Sequence, residues 1–178
     1  MDTDFLRKNC KKEPWHHGLG FIKLCMKGYE LNFHSSLISS PTKNLHSHTK
    51  NFISTCLFGE IKNITYDYEV AKDTEWVLEK VTCTANEKPT MIHANVKPII
   101  KSQQLQKQGD TIFHRYNQIH DTRLISQHAC TKLVNEPRVK DAFIIRNKNK
   151  PFECAYKNLG NSSENWDIID AIISSHGR

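Results

Sequence analysis

The chain is predicted to be an all-β domain, a sandwich or barrel closed by one C-terminal helix, and three observations predict it. Ten or so short apolar or alternating segments follow one another, from Leu19 to Arg146. Turn-forming residues punctuate them, which is the pattern of many short strands packed face to face. Helical spacing of apolar residues is confined to the ends of the chain.

At the N-terminus, Phe5 and Leu6 support a short amphipathic turn. Leu19–Cys25 is a compact apolar run, and Tyr29–Phe33 alternates large apolar with polar residues, so both read as strands. Phe52–Phe58 is apolar and β-prone and ends at Gly59, after which Ile61–Val70 alternates again. Two runs flanking a single glycine predict a β-hairpin. Trp76–Cys83, Thr111–Phe113, Ile119–Ile125, Ala129–Val134 and Ala142–Arg146 complete the strands. Ser163, Glu164 and Asn165 open a helix whose apolar stripe runs through Trp166, Ile169 and Ile173 and stops at Gly177. That stripe either packs on the outside of the barrel or joins two subunits as a homodimer.

At 178 residues the chain suits one domain with a real core. The expected division is an N-terminal extension over 1–18, the β-barrel over 19–147, and a linker with the helix over 148–178. The start, Met1 to Arg7, lacks a basic segment followed by an apolar run, so it does not read as a secretory signal. No stretch approaches the roughly 20 apolar residues that span a bilayer, and a cytoplasmic protein without a membrane partner is expected. Six cysteines without a Cys-x-x-Cys pair argue against zinc ribbons and redox dithiols, leaving reduced and mostly buried thiols. A net charge of +6 favours an anionic partner. The basic residues are scattered and lack interleaved aromatics, so a small anion fits better than a nucleic acid. There is no Gly-x-Gly-x-x-Gly, no phosphate-binding Walker loop and no Gly-x-Ser-x-Gly elbow.

The chemistry is concentrated around His46 and His48. Alternate residues of an extended chain point to one side, so both imidazoles can grip one metal ion. Three residues separate His48 from Phe52, six separate Phe52 from Gly59, and ten separate Gly109 from His120. This spacing resembles the paired motifs of the cupin superfamily. There the first motif has Gly, His-x-His, Glu and Gly, and the second has Gly, Pro-x-Gly, His and Asn. His46, His48, Gly59, Gly109 and His120 fall on matching positions. Ser40, Phe52, Arg115, Asn117 and Leu124 depart from the pattern, replacing the first Gly, the Glu, the Pro, the turn Gly and the Asn. Asn117 can hold the same turn, because Asn tolerates the left-handed backbone.

The resemblance implies a cupin-type double-stranded β-helix, or jelly roll, with His46, His48 and His120 as metal ligands. Without the Glu, this three-histidine face is similar to that of the cupin thiol dioxygenases, although their Ser-x-His-x-Tyr pattern does not follow His120. Such a site suits Fe(II) with open positions for substrate and dioxygen, and imidazoles also accept Zn, Ni or Cu. The implied function is a metal-dependent, dioxygenase-like enzyme. The alternative is a non-catalytic cupin, free of metal, that captures an anionic, nucleotide-like small molecule.

Arg115, Arg123 and Lys62 are the candidates for meeting a carboxylate or phosphate, or else are solvated surface residues. Phe52 either lines the barrel mouth or packs in the core. His114 is an alternate ligand or a base. Tyr66, with Tyr68 and Trp76, forms a ligand wall or an inner sheet face. Asp121 points away from His120 along a strand and does not suit a fourth ligand. His16 and His17 read as surface or loop residues, and His34, His93 and His128 carry no spacing argument.

Overall fold

The computed structural model describes residues 1–38, 44–81, 91–138, 141–150 and 158–176. Ser40, Cys83, Cys154 and Gly177, which the sequence reading used, lie outside the described residues. Helix α1 (Thr3–Asn9) leads into β1 (Trp15–His17), β2 (Phe21–Cys25), β3 (Glu30–Ser35), β4 (Leu45–His46), β5 (Phe52–Phe58) and β6 (Glu60–Val70). Then come β7 (Trp76–Val81), β8 (Met91–Lys107), β9 (Thr111–His114), β10 (Ile119–Leu124), β11 (His128–Asn135), β12 (Ala142–Asn147) and helix α2 (Ser162–His176).

One sheet has the order β1-β2-β3-β11-β5-β9, and the other closes into a barrel in the order β10-β4-β12-β7-β8-β6. Within them, β3-β11-β5-β9 face β4-β10-β6-β8. Counted along the chain as eight strands, these are the first, eighth, third and sixth against the second, seventh, fourth and fifth. That alternation is the double-stranded β-helix of a cupin-type jelly roll, and the chain is an all-β protein with a C-terminal helix.

The hairpin predicted at Gly59 does not form. Strand β5 pairs with β11 and β9, while β6 pairs with β10 and β8 in the other sheet. Gly59 instead carries the chain around a corner between sheets, with φ of 76°. A Cβ there would lie 2.2 Å from the His128 carbonyl oxygen, so only glycine allows β11 to pass so close.

Strand β8 was not visible as a strand in sequence. Pro98 and the polar run Lys101–Gln104 interrupt any alternation, yet β8 pairs along the whole of β6. Pro98 lies beyond the stretch of β8 that pairs with β7, so its missing N–H leaves the β7 ladder intact.

The largest apolar core lies outside the first sheet. Ile22 pairs with Phe33 and Leu24 with Leu31 across β2 and β3. These four pack in one buried cluster with Leu6 of α1 and with Trp166, Ile169 and Ile172 of α2. Each such side chain contributes about 1.5–3 kcal/mol by leaving water. Asn161 caps α2 by accepting the Glu164 N–H at 2.9 Å. The Arg7 guanidinium sits 4.5 Å over the Trp166 ring and pairs with Asp170 at 2.9 Å, joining the two helices. The α2 stripe packs on the outside of the first sheet, with Trp166 and Ile169 in this cluster and Ile173 partly buried against it. Among the described residues no helix is long and apolar enough to cross a membrane, and Cys10, Cys25, Cys56 and Cys130 are free thiols.

Candidate metal centre

Because α1 and α2 cover the outer face of the first sheet, its inner face is released from core duty. Between the two sheets lies a cavity of about 1360 Å³, lined by residues of both. His46, His48 and His120 meet in its wall. His46 stands on β4 between β10 and β12, directly opposite His120 on one side and Ile144 on the other. Opposed residues of paired strands share a face, so the two imidazoles emerge together. Past the end of β4, the His48 N–H donates to the Tyr116 carbonyl at 2.9 Å, and the Tyr116 N–H donates to Asn51 Oδ1 at 2.9 Å. The turn that carries Tyr116 is closed by the Gln118 N–H on the Arg115 carbonyl at 3.1 Å, with Asn117 inside it. The same loop therefore fixes His48 and delivers the chain to His120.

The three rings lie 4.7–5.1 Å apart, centroid to centroid, and one nitrogen from each falls within 4.8 Å of the others. His48 Nε2 and His120 Nε2 are 2.8 Å apart. Burial holds all three imidazoles below their ordinary pKa, with His46 and His48 adding to the effect on His120. They are neutral at pH 7, and two neutral nitrogens at that separation share either one proton or one cation. Two imidazoles bound at right angles to an ion, each about 2.1 Å away, would sit about 3 Å apart. His46 Nδ1 lies 3.4 Å from the Asn44 carbonyl, a contact that keeps the proton on Nδ1 and leaves Nε2 as the donor atom. His120 Nδ1 is buried without a protein partner. The donor set fits a divalent ion bound through three neutral nitrogens.

Phe52 fills the position of the expected acid. It meets His48 edge-on at 4.6 Å and stacks on His114 at 4.5 Å, directly opposite in the β5–β9 pair. Phe52 is both buried and part of the cavity wall, so the two alternatives for it coincide. His114 is buried, lies 5.0 Å from His120 ring to ring, and is pushed down to about 4 by burial and by His46.

The expected anion-binding residues divide. Arg123 lies on the cavity wall but is paired with Asp121 at 2.9 Å. Arg115 is exposed, and neither it nor Lys62 belongs to the wall, because both sit on strand or turn positions facing away from it. Tyr66 and Trp76 do belong to it. His16 and His17, expected at the surface, are buried on β1. His17 and His34 line the cavity, the first stacked on Phe21 at 4.6 Å and the second 3.4 Å from Thr131 Oγ1. Sequence reasoning missed them because β1 is three residues long and His34, on the polar side of an alternating strand, has no second histidine at ligand spacing.

No family model matches the sequence, and no curated protein matches it. A crystal structure of hydroquinone 1,2-dioxygenase, in complex with cadmium and 4-hydroxybenzonitrile, aligns over 84% of this chain and 76% of its own, with 11% identity and a TM-score of 0.26. At that score it bears on neither site nor function. The chain's own geometry defines the class: a cupin-type barrel with a three-histidine cluster suited to a metal ion.

Proposed function

We propose that this protein is a metal-dependent cupin of dioxygenase-like type, with Fe(II) held by His46, His48 and His120. The observation that carries the reading is the convergence of three neutral imidazoles from β4, the segment after it, and β10, beside a large cavity. When bound, Fe(II) would supply Lewis acidity and a redox centre with coordination positions left for a substrate. The chain's own part is to hold the ligands and exclude water. Asn44 orients His46, the Tyr116 carbonyl anchors His48, and Phe52 shields the flank where an acid would add negative charge.

Phe52 also favours a second reading, a non-catalytic cupin that captures a small molecule without metal. Metal analysis separates the two. Protein reconstituted anaerobically with Fe(II) and desalted should retain about one equivalent, and a folded His46→Ala, His48→Ala double variant should retain none. Wild-type protein that holds no stoichiometric metal after reconstitution would sink the enzyme reading.

A further inference from the structure

The charged side chains that line the cavity among the described residues are Lys23, Glu30, Lys50, Asp121, Arg123 and Arg138. Most of the cations have an acid at hand. Lys23 pairs with Glu30 at 3.1 Å, Arg123 with Asp121 at 2.9 Å, and Arg138 with Asp141 at 3.6 Å. Lys50 is the exception, because among the described residues it enters no ion pair.

Glu30 does not fill that gap. Burial pushes its carboxyl up, and Lys23, a hydrogen bond from Asn135 and then Lys50 together hold it below its usual range. Lys23 and Asn135 already bond this carboxylate, and Lys50 acts on it from beyond ion-pair distance. One carboxylate thus answers two ammonium groups, which leaves one positive charge over. The backbone that bears Lys50 is fixed by its neighbour Asn51. The Asn51 carbonyl accepts the Glu136 N–H at 2.9 Å, its Nδ2 donates to the Glu136 carboxylate at 2.7 Å, and its Oδ1 accepts the Tyr116 N–H at 2.9 Å. Ordering Lys50 on a ligand therefore costs only its own rotamers.

Lys50 is partly buried. An ammonium group held at a cavity wall without a counter-ion attracts an anion more strongly than one in open water, since the effective dielectric is lower. A single charge left over matches a single carboxylate. A dianion would bring its second charge toward Glu30 with no free cation to meet it. Phe21, Phe52 and Leu133 line the same cavity and suit an apolar body.

We propose that Lys50 anchors an anion subsite in the cavity, taking the carboxylate of a small monocarboxylic acid whose uncharged body lies against the cavity wall. This deepens the reading of the cavity as a ligand pocket and rests on it, but not on a metal at the histidines.

The test is a ligand-observed NMR titration of the full chain, stripped of metal by chelation, with benzoate and cyclohexanecarboxylate as probes. Benzamide is the uncharged comparator and phthalate the dianion. Both monocarboxylates should bind saturably, about tenfold or more tightly than benzamide or phthalate, as one charge-assisted hydrogen bond implies. Lys50→Gln should weaken benzoate to the level of benzamide, and Lys50→Arg, which keeps the charge, should stay within about threefold of wild type. Without metal, a carboxylate cannot owe its binding to an ion, so a protein that never holds metal can pass and one that holds it can fail. Benzamide or phthalate binding as tightly as benzoate, no saturable binding by either monocarboxylate, or benzoate binding unchanged in folded Lys50→Gln would each overturn the proposal. Circular dichroism identifies a variant that has not folded, and the comparison of benzoate with benzamide on wild-type protein then decides.

Discussion

Acid should unfold this protein through its buried histidines. Burial pushes His34 down to about 4, and burial with His46 does the same to His114. In the unfolded chain both would titrate near 6.5. Above that value neither state binds the proton, so the two histidines carry no penalty. As pH falls below it, the unfolded chain takes up protons that the folded chain refuses, and stability drops until the folded histidines protonate near 4. Each unit of pH inside that window costs about 1.4 kcal/mol per histidine. Between pH 7.5 and 5.5 the pair should therefore remove roughly 3 kcal/mol, a large share of the 5–15 kcal/mol that holds a typical domain together. His17, His48 and His120 are shifted in the same direction and would deepen the loss. Urea denaturation of metal-free protein at the two pH values measures it, since the midpoint falls while the slope stays constant. A loss below about 1 kcal/mol would refute the reasoning, because His34 and His114 would then have to be far better solvated than their burial implies.

Adding Fe(II), or Zn(II) as a redox-inert stand-in, at a hundred times its dissociation constant should stabilise wild-type protein by about 2.7 kcal/mol, and His48→Ala should abolish the gain in the same denaturation experiment. Gly59→Ala should cost at least about 3 kcal/mol, combining a left-handed φ with the clash on the His128 carbonyl, and thermal melting would show it; an unchanged midpoint would mean that the β5–β6 corner relaxes freely. Glu79 on β7 accepts two hydrogen bonds from Arg146 on β12, at 2.7 and 2.8 Å, with both side chains largely buried. Glu79→Ala should cost roughly 3–5 kcal/mol by stranding Arg146, and the Glu79→Leu, Arg146→Met pair should recover most of that loss in chemical denaturation.

Much of the fold was legible because its strands carry local signals. Phe52–Phe58 was readable to the residue, as β5 alternates buried with open positions along its length. What failed was anything decided by partners far along the chain. Alternation on both sides of Gly59 is what a hairpin shows, but it is equally what two strands show when each packs in a different sheet. Strand β8 is defined by β6 and β7 rather than by its own residues, and the two-residue β4 exists because β10 and β12 flank it. At the site, the spacing of His46, His48 and His120 was visible because one loop geometry ties them together. Lys23, Glu30 and Asn32 were hidden, because a polar residue on alternate positions of a strand ordinarily signals a solvated face.

That last ambiguity has a physical root in where the core sits. Ile22, Leu24, Leu31 and Phe33 occupy one face of β2 and β3, and a reader without α1 and α2 assigns that face to the barrel interior. Helix α2, carrying Trp166, Ile169 and Ile172, reverses the assignment, since it turns the apolar face into the contact with the helices and leaves the polar face inside. Stability and chemistry are thereby separated onto opposite sides of one sheet. The apolar side can tolerate only volume-conserving change, because its residues are closely packed. The inner side borders the cavity, and its polar groups hold one another there, as Lys23 does Glu30 at 3.1 Å. The helix thus shapes the cavity as well as the core, because covering Ile22, Leu24, Leu31 and Phe33 leaves Lys23, Glu30 and Asn32 on the inward face of the same strands.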